Sequence, residues 1–568
     1  MTSEEATGDR GRWALPAVMA GQLVRAAVLV FVTLAALLPG LAALPALDRD
    51  EARFLVASRQ MAETGDYVDI RFQEEHRYAK PVGIYWLQNL ALVASGAGPE
   101  APIAAYRAVS VAAVLVAVLG LSVVGTLFFG AEAGFVAGLV LASIVAVGFE
   151  GHIGKTDATL LAMTVLAQGA LGVIHRAQRA GRAPHLAPAL TFWLAQAAAI
   201  LVKGPIAPLA SLLTIGTLSF VERDWRWTRG LRPALGLPLL LLAVLPWPIM
   251  ILERTGLSFF REALGHDLVG KVSAGQESHG APPGYYVLTF SLFFWPFGAM
   301  ATGAGLAAIR SWRSSPSLRF CLAWYLPFWL VFEAIATKLP HYVLPAYPGL
   351  ALLLGWAAGA GDVPRFDALA GWQRWLWRLA ACGSGLVSLA LAGAVLGAPF
   401  YLGVPFPAVA VAIAALVLVA GACGLSTGLR PQLRRVGGAA LAAALAFGLF
   451  FGWYAPALTP LWPSRSIAAL VAADAGCRDD AVAAAGYHEP SLVFALGRKT
   501  QLTDLRGALD HLLAAAPCAI AVLLARDVAQ AQDRARAAGL TVRDLGAVHG
   551  LALGGGGRVD LAVIEARR

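Results

Sequence analysis

Apolar residues in this chain gather into long unbroken blocks instead of alternating or recurring on one face. Thirteen blocks succeed one another, at 22–45, 103–128, 132–150, 157–175, 187–201, 204–221, 233–252, 284–308, 319–336, 342–359, 379–398, 406–427 and 436–457. Most approach the roughly 20 residues that a helix needs to cross a hydrocarbon layer. A helix also satisfies its own backbone hydrogen bonds there. The pattern predicts a polytopic α-helical membrane protein with about thirteen transmembrane helices in a domain spanning 1–462. Three polar stretches stand apart: a first outer loop at 46–102, a second at 253–283 and a tail at 463–568. In the first loop, EARFLVASRQMAETG spaces its apolar residues for one helical face and ends at Gly65, and PVGIYWLQNLALVA follows it. Both read as interfacial helices. In the tail, β-like runs (DDAVAAAG, SLVFALG, CAIAVLLA, RVDLAVIEA) alternate with helix-like runs (DLRGALDHLLAAA, DVAQAQDRARAAG), which predicts a small α/β domain.

Composition agrees: 58% of residues are hydrophobic and 14% charged, which excludes a soluble globular balance. The net charge of +9 would suggest a nucleic-acid partner, but the arginines cluster after even-numbered blocks. They stand at Arg176/Arg179/Arg182, Arg223/Arg226/Arg229/Arg232, Arg310/Arg313/Arg319, Arg365/Arg374/Arg378 and Arg430/Arg434/Arg435. The short loops after odd-numbered blocks carry only Lys155, Lys203 and Lys338. This asymmetry predicts a cytoplasmic N-terminus and an extracytoplasmic tail, with no nucleic acid involved. The N-terminal segment reads as a retained anchor because no small-residue cleavage site follows it. The five cysteines show no metal spacing. Cys477 and Cys518 fall together in the tail, where an oxidising compartment permits a disulfide.

The candidate chemistry lies in the outer loops. Asp50 and Glu51 follow the first block directly, and a carboxylate pair beside low-dielectric walls can serve as a general base. The competing reading is a helix N-cap or solvated interfacial charge. Asp157 closes the short EGHIGKTD segment, where an ion pair with Lys155 is the structural alternative and His152 serves to orient the loop. Lys80, Lys203 and Lys338 gather on the same predicted face, which suits a phosphate; the alternative is snorkelling at helix ends. Glu333 is a candidate partner for one of them. The 253–283 loop adds Arg261, His266, Lys271, Glu277 and His279, either a sugar or phosphate site or a solvated loop. Tyr285, Tyr286 and Trp295 line a lipid groove or form an interfacial aromatic belt.

The ordered strings DEARF, TGDY and YAKPVGIYWL resemble the first outer loop of the aminoarabinose transferase and protein O-mannosyltransferase group. These are polyprenyl-phosphate-dependent glycosyltransferases of the membrane C-type superfamily. KTDATL at 155–160, VKGPIA at 202–207, KLPHYVLPAYP at 338–348 and GYHEPSLVFALGR at 486–498 extend the likeness, in order, through the tail. The resemblance implies transfer of a sugar from an undecaprenyl-type carrier at the periplasmic face of a bacterial inner membrane. It puts the acid matching Asp50 at the reaction centre, Lys80 on the carrier phosphate and Asp157 at a second acidic position. It sets His341 and Tyr342 near the lipid-phosphate pocket, with Tyr78 and Tyr85 of the YAKPVGIY string lining a lipid or sugar pocket. No obligatory metal or cofactor is implied beyond the polyprenyl-phosphate sugar.

The expected reaction is an inverting transfer. Asp50, with Glu51 or Asp157, takes a proton from the acceptor, and the polyprenyl phosphate leaves against Lys80 together with Lys203, Lys338 or Arg261. A phosphate leaving group needs no general acid. The acceptor stays open among lipid A, a protein and an envelope polysaccharide, the sugar stays open as well, and a monomer is expected. The rival class is a lipid-linked sugar flippase or transporter, for which paired broken helices in two related halves would speak.

Overall fold

A computed structural model describes residues 10–48, 50–262, 280–359, 370–429, 431–473, 482–514, 519–554 and 556–567, with side chains from Met19 onward except that of Leu429. All thirteen apolar blocks are helical, but they do not make thirteen spans. Among the described residues, nine helices are long and apolar enough to cross a bilayer, and two bent pairs bring the count to eleven. The block at 132–150 breaks into Ala131–Ser143 and Val145–Gly151, bent by 61° where Ile144 turns extended. The block at 284–308 breaks into Tyr285–Phe293 and Gly298–Ser311, bent by 120° around Pro296. The block at 204–221 folds as the 17-residue helix Ile206–Glu222, short of a full crossing. The block at 319–336 folds as Pro316–Ala334, which carries Arg319 and Glu333 and is not among the nine.

One large core runs through the helical body, joining Leu29, Val118, Leu171, Trp324 and Leu353 among many others. Close crossings depend on missing side chains. A Cβ on Gly134 would sit 2.3 Å from the Ser122 carbonyl oxygen, so helices Ile103–Phe129 and Ala131–Ser143 meet backbone to backbone there.

Two helices cover the first outer loop, Asp50–Thr64 and Gly83–Ala94, where the apolar spacing predicts them. Between them, β1 (Arg71–Phe72) and β2 (Glu75–His76) pair in a short hairpin. The tail opens with helix Pro463–Ala473 and is α/β. Its strands are β3 (Val482–Ala485), β4 (Gln501–Thr503), β5 (Ala519–Leu524), β6 (Thr541–Ala552) and β7 (Gly557–Arg567). They form one sheet in the order β4-β3-β5-β7-β6, parallel across the first three and antiparallel beyond. SLVFALG, expected as a strand, is instead the helix Pro490–Leu496. A short apolar run does not choose by periodicity, and Pro490 in the first turn preorganises a helix.

The segment 488–500 fastens the tail to the first outer loop. Ser491 N–H donates to Asp48 at 3.1 Å, and Arg59 donates to the Phe494 carbonyl at 2.9 Å while lying over its ring. Gln73 Nε2 donates to the carbonyls of Arg498 and Thr500 at 2.8 and 2.6 Å, and Arg498 pairs with Glu63 at 3.3 Å.

Candidate active site

Four elements bring their ends together at the mouth of the helical body: the start of Asp50–Thr64, the end of Val145–Gly151, the start of Thr156–Arg179 and the end of Leu186–Lys203. The 3₁₀ segment Pro340–Ala346 closes the ring. The Lys203 ammonium lies 2.5 Å from Asp157 Oδ1. Lys155 lies 3.4 Å from Asp157 Oδ2 and 3.1 Å from Glu150 Oε2. His341 sits between the two acids, Nδ1 3.6 Å from Glu150 and Nε2 3.9 Å from Asp157. The Tyr342 ring covers Lys203 at 5.8 Å and meets the His341 imidazole edge-on at 5.1 Å. Every one of the acids and Lys155 is buried. Burial opposes the Lys155 charge, but Glu150 and Asp157 outweigh it and hold that ammonium above the ordinary lysine range.

The adjacent carboxylates Asp50 and Glu51 separate completely. Asp50 is exposed at the helix start, within electrostatic reach of Lys155 and of the buried Tyr85. Glu51 is wholly buried, paired through both oxygens with Arg107 at 2.8 Å. It also accepts from Leu47 N–H at 2.8 Å and Gly154 N–H at 2.7 Å. Glu51 therefore ties the first outer loop to the 152–155 loop, and its oxygens are committed to that role. His152 is fixed in the same loop: its ring stacks on Phe451 at 3.9 Å and Nδ1 faces the Gly148 carbonyl at 2.6 Å. Burial, opposed by the bond to Gly148 and assisted by Arg107, pushes its pKa down to about 4, so it is neutral.

Lys80 is half-buried, donates to the Ala79 carbonyl at 2.7 Å and lies within electrostatic reach of His341. Lys338 stands elsewhere in role. Its ammonium caps the end of Pro316–Ala334 by donating to the carbonyls of Phe332 at 2.9 Å, Glu333 at 2.8 Å and Ile335. Glu333, the expected lysine partner, lies within electrostatic reach of Lys338 and accepts from Gly284 N–H at 2.8 Å and Val287 N–H at 3.1 Å, holding the start of Tyr285–Phe293. Tyr78 and Tyr85 are buried in an apolar cluster with Phe54, Trp247 and Phe259. Tyr286 and Trp295 are buried as well, and Tyr285 is partly so. Arg261 is exposed. His266, Lys271, Glu277, His279, Cys477 and Cys518 lie outside the described residues. Two participants escaped the sequence reading, Glu150 and Arg107. Their one signal is an ionisable residue inside or at the end of an apolar block, which is expensive unless partnered.

No family model matches the chain. Among curated proteins it is 25% identical over 308 residues to an undecaprenyl phosphate-α-4-amino-4-deoxy-L-arabinose arabinosyl transferase of Proteus mirabilis, covering 54% of each chain. It is 26% identical over 381 residues to the enzyme of that name from Pseudomonas paraeruginosa, covering 62% of this chain and 61% of the relative. The chain thus spans little more than half the length of the curated relatives it matches. Among solved structures, ArnT from Cupriavidus metallidurans bound to undecaprenyl phosphate superposes with a TM-score of 0.70 at 20% identity, covering 96% of this chain and 98% of that one. The chain shares that fold, and its relatives are the transferase group that its loop motifs resemble.

Proposed function

We propose that this protein moves a sugar from a polyprenyl-phosphate carrier to an envelope acceptor, with inversion, at the periplasmic face of a bacterial inner membrane. The observation that carries the reading is the pair of buried Asp157 with the partly exposed Lys203, with Lys80 and the exposed Asp50 beside it at the mouth of the helical body. A cation held by a single carboxylate in a low-dielectric wall is preorganised for an anion and costs little reorganisation when one arrives. Lys80 and Lys203 receive the carrier phosphate. Asp50, exposed enough to meet an acceptor, accepts its proton; the acceptor oxygen bonds the anomeric carbon as the C–O bond to phosphate breaks, and phosphate leaves with that electron pair. The lysines supply the charge the leaving group needs, so the reading calls for no metal and no general acid. Glu51 and Lys338 are left to structural tasks. The names of the relatives make an aminoarabinose carrier the first donor to test, with lipid A, protein and polysaccharide as candidate acceptors.

The test is turnover by the purified protein in liposomes containing the undecaprenyl-phosphate sugar and an acceptor, read by mass spectrometry. Wild type should release undecaprenyl phosphate, Asp50→Asn should lose at least about 100-fold in kcat, and Lys80→Ala should raise KM for the donor. Movement of the intact carrier across the bilayer without its consumption would point to a flippase and overturn the transferase reading.

A further inference from the structure

The proposed reaction leaves Glu150 without a task, although a buried carboxylate at the end of Val145–Gly151 is costly to keep. Its two oxygens do separate work. Oε2 takes Lys155 at 3.1 Å, and Oε1 faces His341 Nδ1 at 3.6 Å. The charge count shows what this achieves. Two buried carboxylates, Glu150 and Asp157, face two ammonium groups, Lys155 and Lys203. Lys155 lies nearer to Glu150 than to Asp157, so Asp157 keeps its short contact for Lys203. Without the charge of Glu150, Lys155 would lean on the carboxylates that remain, Asp157 at 3.4 Å and Asp50 within electrostatic reach. Asp157, which already meets both lysines, would be drawn further toward Lys155 and its hold on Lys203 loosened. Glu150 also places a negative charge 3.6 Å from His341 Nδ1, on the side of the imidazole away from the nitrogen that faces Asp157 at 3.9 Å.

We infer that Glu150 is a positioning residue of this site: it takes the nearer hold on Lys155 and faces His341 from the side opposite Asp157, so that the Asp157–Lys203 pair stays aligned for the leaving phosphate. The inference rests on the transferase reading for its kinetic part, but it makes a separate claim about anion binding. Removing a negative charge beside a phosphate site strengthens phosphate binding, while losing alignment slows the chemical step. A merely structural residue would not push these two quantities in opposite directions.

The experiment compares wild type, Glu150→Gln and Lys203→Ala by two readouts: affinity for undecaprenyl phosphate in detergent, and kcat and KM for the polyprenyl-phosphate sugar. Glu150→Gln should bind undecaprenyl phosphate at least as tightly as wild type, by a factor of about 1 to 10, and lose about 10- to 100-fold in kcat with no rise in KM. Lys203→Ala should weaken binding of the same lipid. Unchanged kcat in Glu150→Gln overturns the inference, and so does weaker lipid binding in a variant whose thermal midpoint matches wild type. If the glutamine variant is unstable, Glu150→Asp replaces it: a shorter carboxylate keeps the charge but not both contacts, so lipid affinity should stay at the wild-type level while kcat falls. Failure of wild type to consume any polyprenyl-phosphate sugar would sink the transferase reading, whereas the lipid-binding comparison would still decide the claim about Glu150.

Discussion

At the scale of single residues, adjacency in sequence proves a poor guide to role. Asp50 and Glu51 are neighbours with the same chemistry, yet the helix that begins there turns one outward and the other into a pocket with Arg107. Asp48, two positions before, shows how a titrating group can report on the same junction. It is buried against the tail, and burial, opposed by the bond from Ser491 and assisted by Glu489, pushes its carboxyl up to about 6. The folded pKa lies above the unfolded value of 3.8, so its favourable contribution is complete below about pH 4 and is lost as pH rises through about 6. Asn keeps an acceptor for Ser491 N–H without a charge to bury. Asp48→Asn should therefore match wild type near pH 4 and be the more stable protein above pH 6, by roughly 3 kcal/mol from a shift of about two units. Thermal unfolding across pH 4 to 8 measures the difference; a gap that does not vary with pH would contradict the assignment.

At the scale of elements, the site depends on how closely helix ends approach. Gly83 opens the helix Gly83–Ala94, and a Cβ there would lie 2.8 Å from the backbone carbon and oxygen of Leu201, two residues before Lys203. Backbone atoms cannot swing aside, so Gly83→Ala should cost about 1–3 kcal/mol of stability by overpacking. It should also raise KM for the lipid donor by displacing Lys203. Gly437→Ala, in a helix with nothing within 4 Å of the added Cβ, is the matched control and should leave KM unchanged and stability no lower than wild type. Equal KM in the two variants would show that the Leu201 contact does not govern the site. The broken helices belong to this scale too. The bend at Ile144 lets Val145–Gly151 deliver Glu150 and the 152–155 loop to the mouth, where an unbroken helix would have carried them past it.

At the scale of the whole molecule, the arginine-rich loops and the acid–lysine site assign opposite faces of the membrane. If the arginines are cytoplasmic, alkaline phosphatase fused after Arg567 should be active in cells and a fluorescent protein fused there dark. The reverse result would put the tail and the site on the cytoplasmic side. The tail is held to the first outer loop by Asp48, Arg59, Gln73 and Glu63, so the site and the sheet domain share a face.

The sequence by itself determined the membrane class, the helical blocks, the two helices of the first outer loop, the α/β tail and a short list of acids and lysines at block ends. It could do so because burial in lipid imposes long apolar runs, and charge asymmetry is written directly in the order of the residues. Span count, the fold of SLVFALG and the division of labour among charges were decided only in three dimensions. A lysine at a helix end looks the same in sequence whether it caps carbonyls, as Lys338 does, or meets an aspartate, as Lys203 does. Glu150 and Arg107 were hidden for the same reason: what a buried charge does is set by the partner it finds, and those partners lie 5 to 191 residues away along the chain, at Lys155 and His341 for one and at Glu51 for the other.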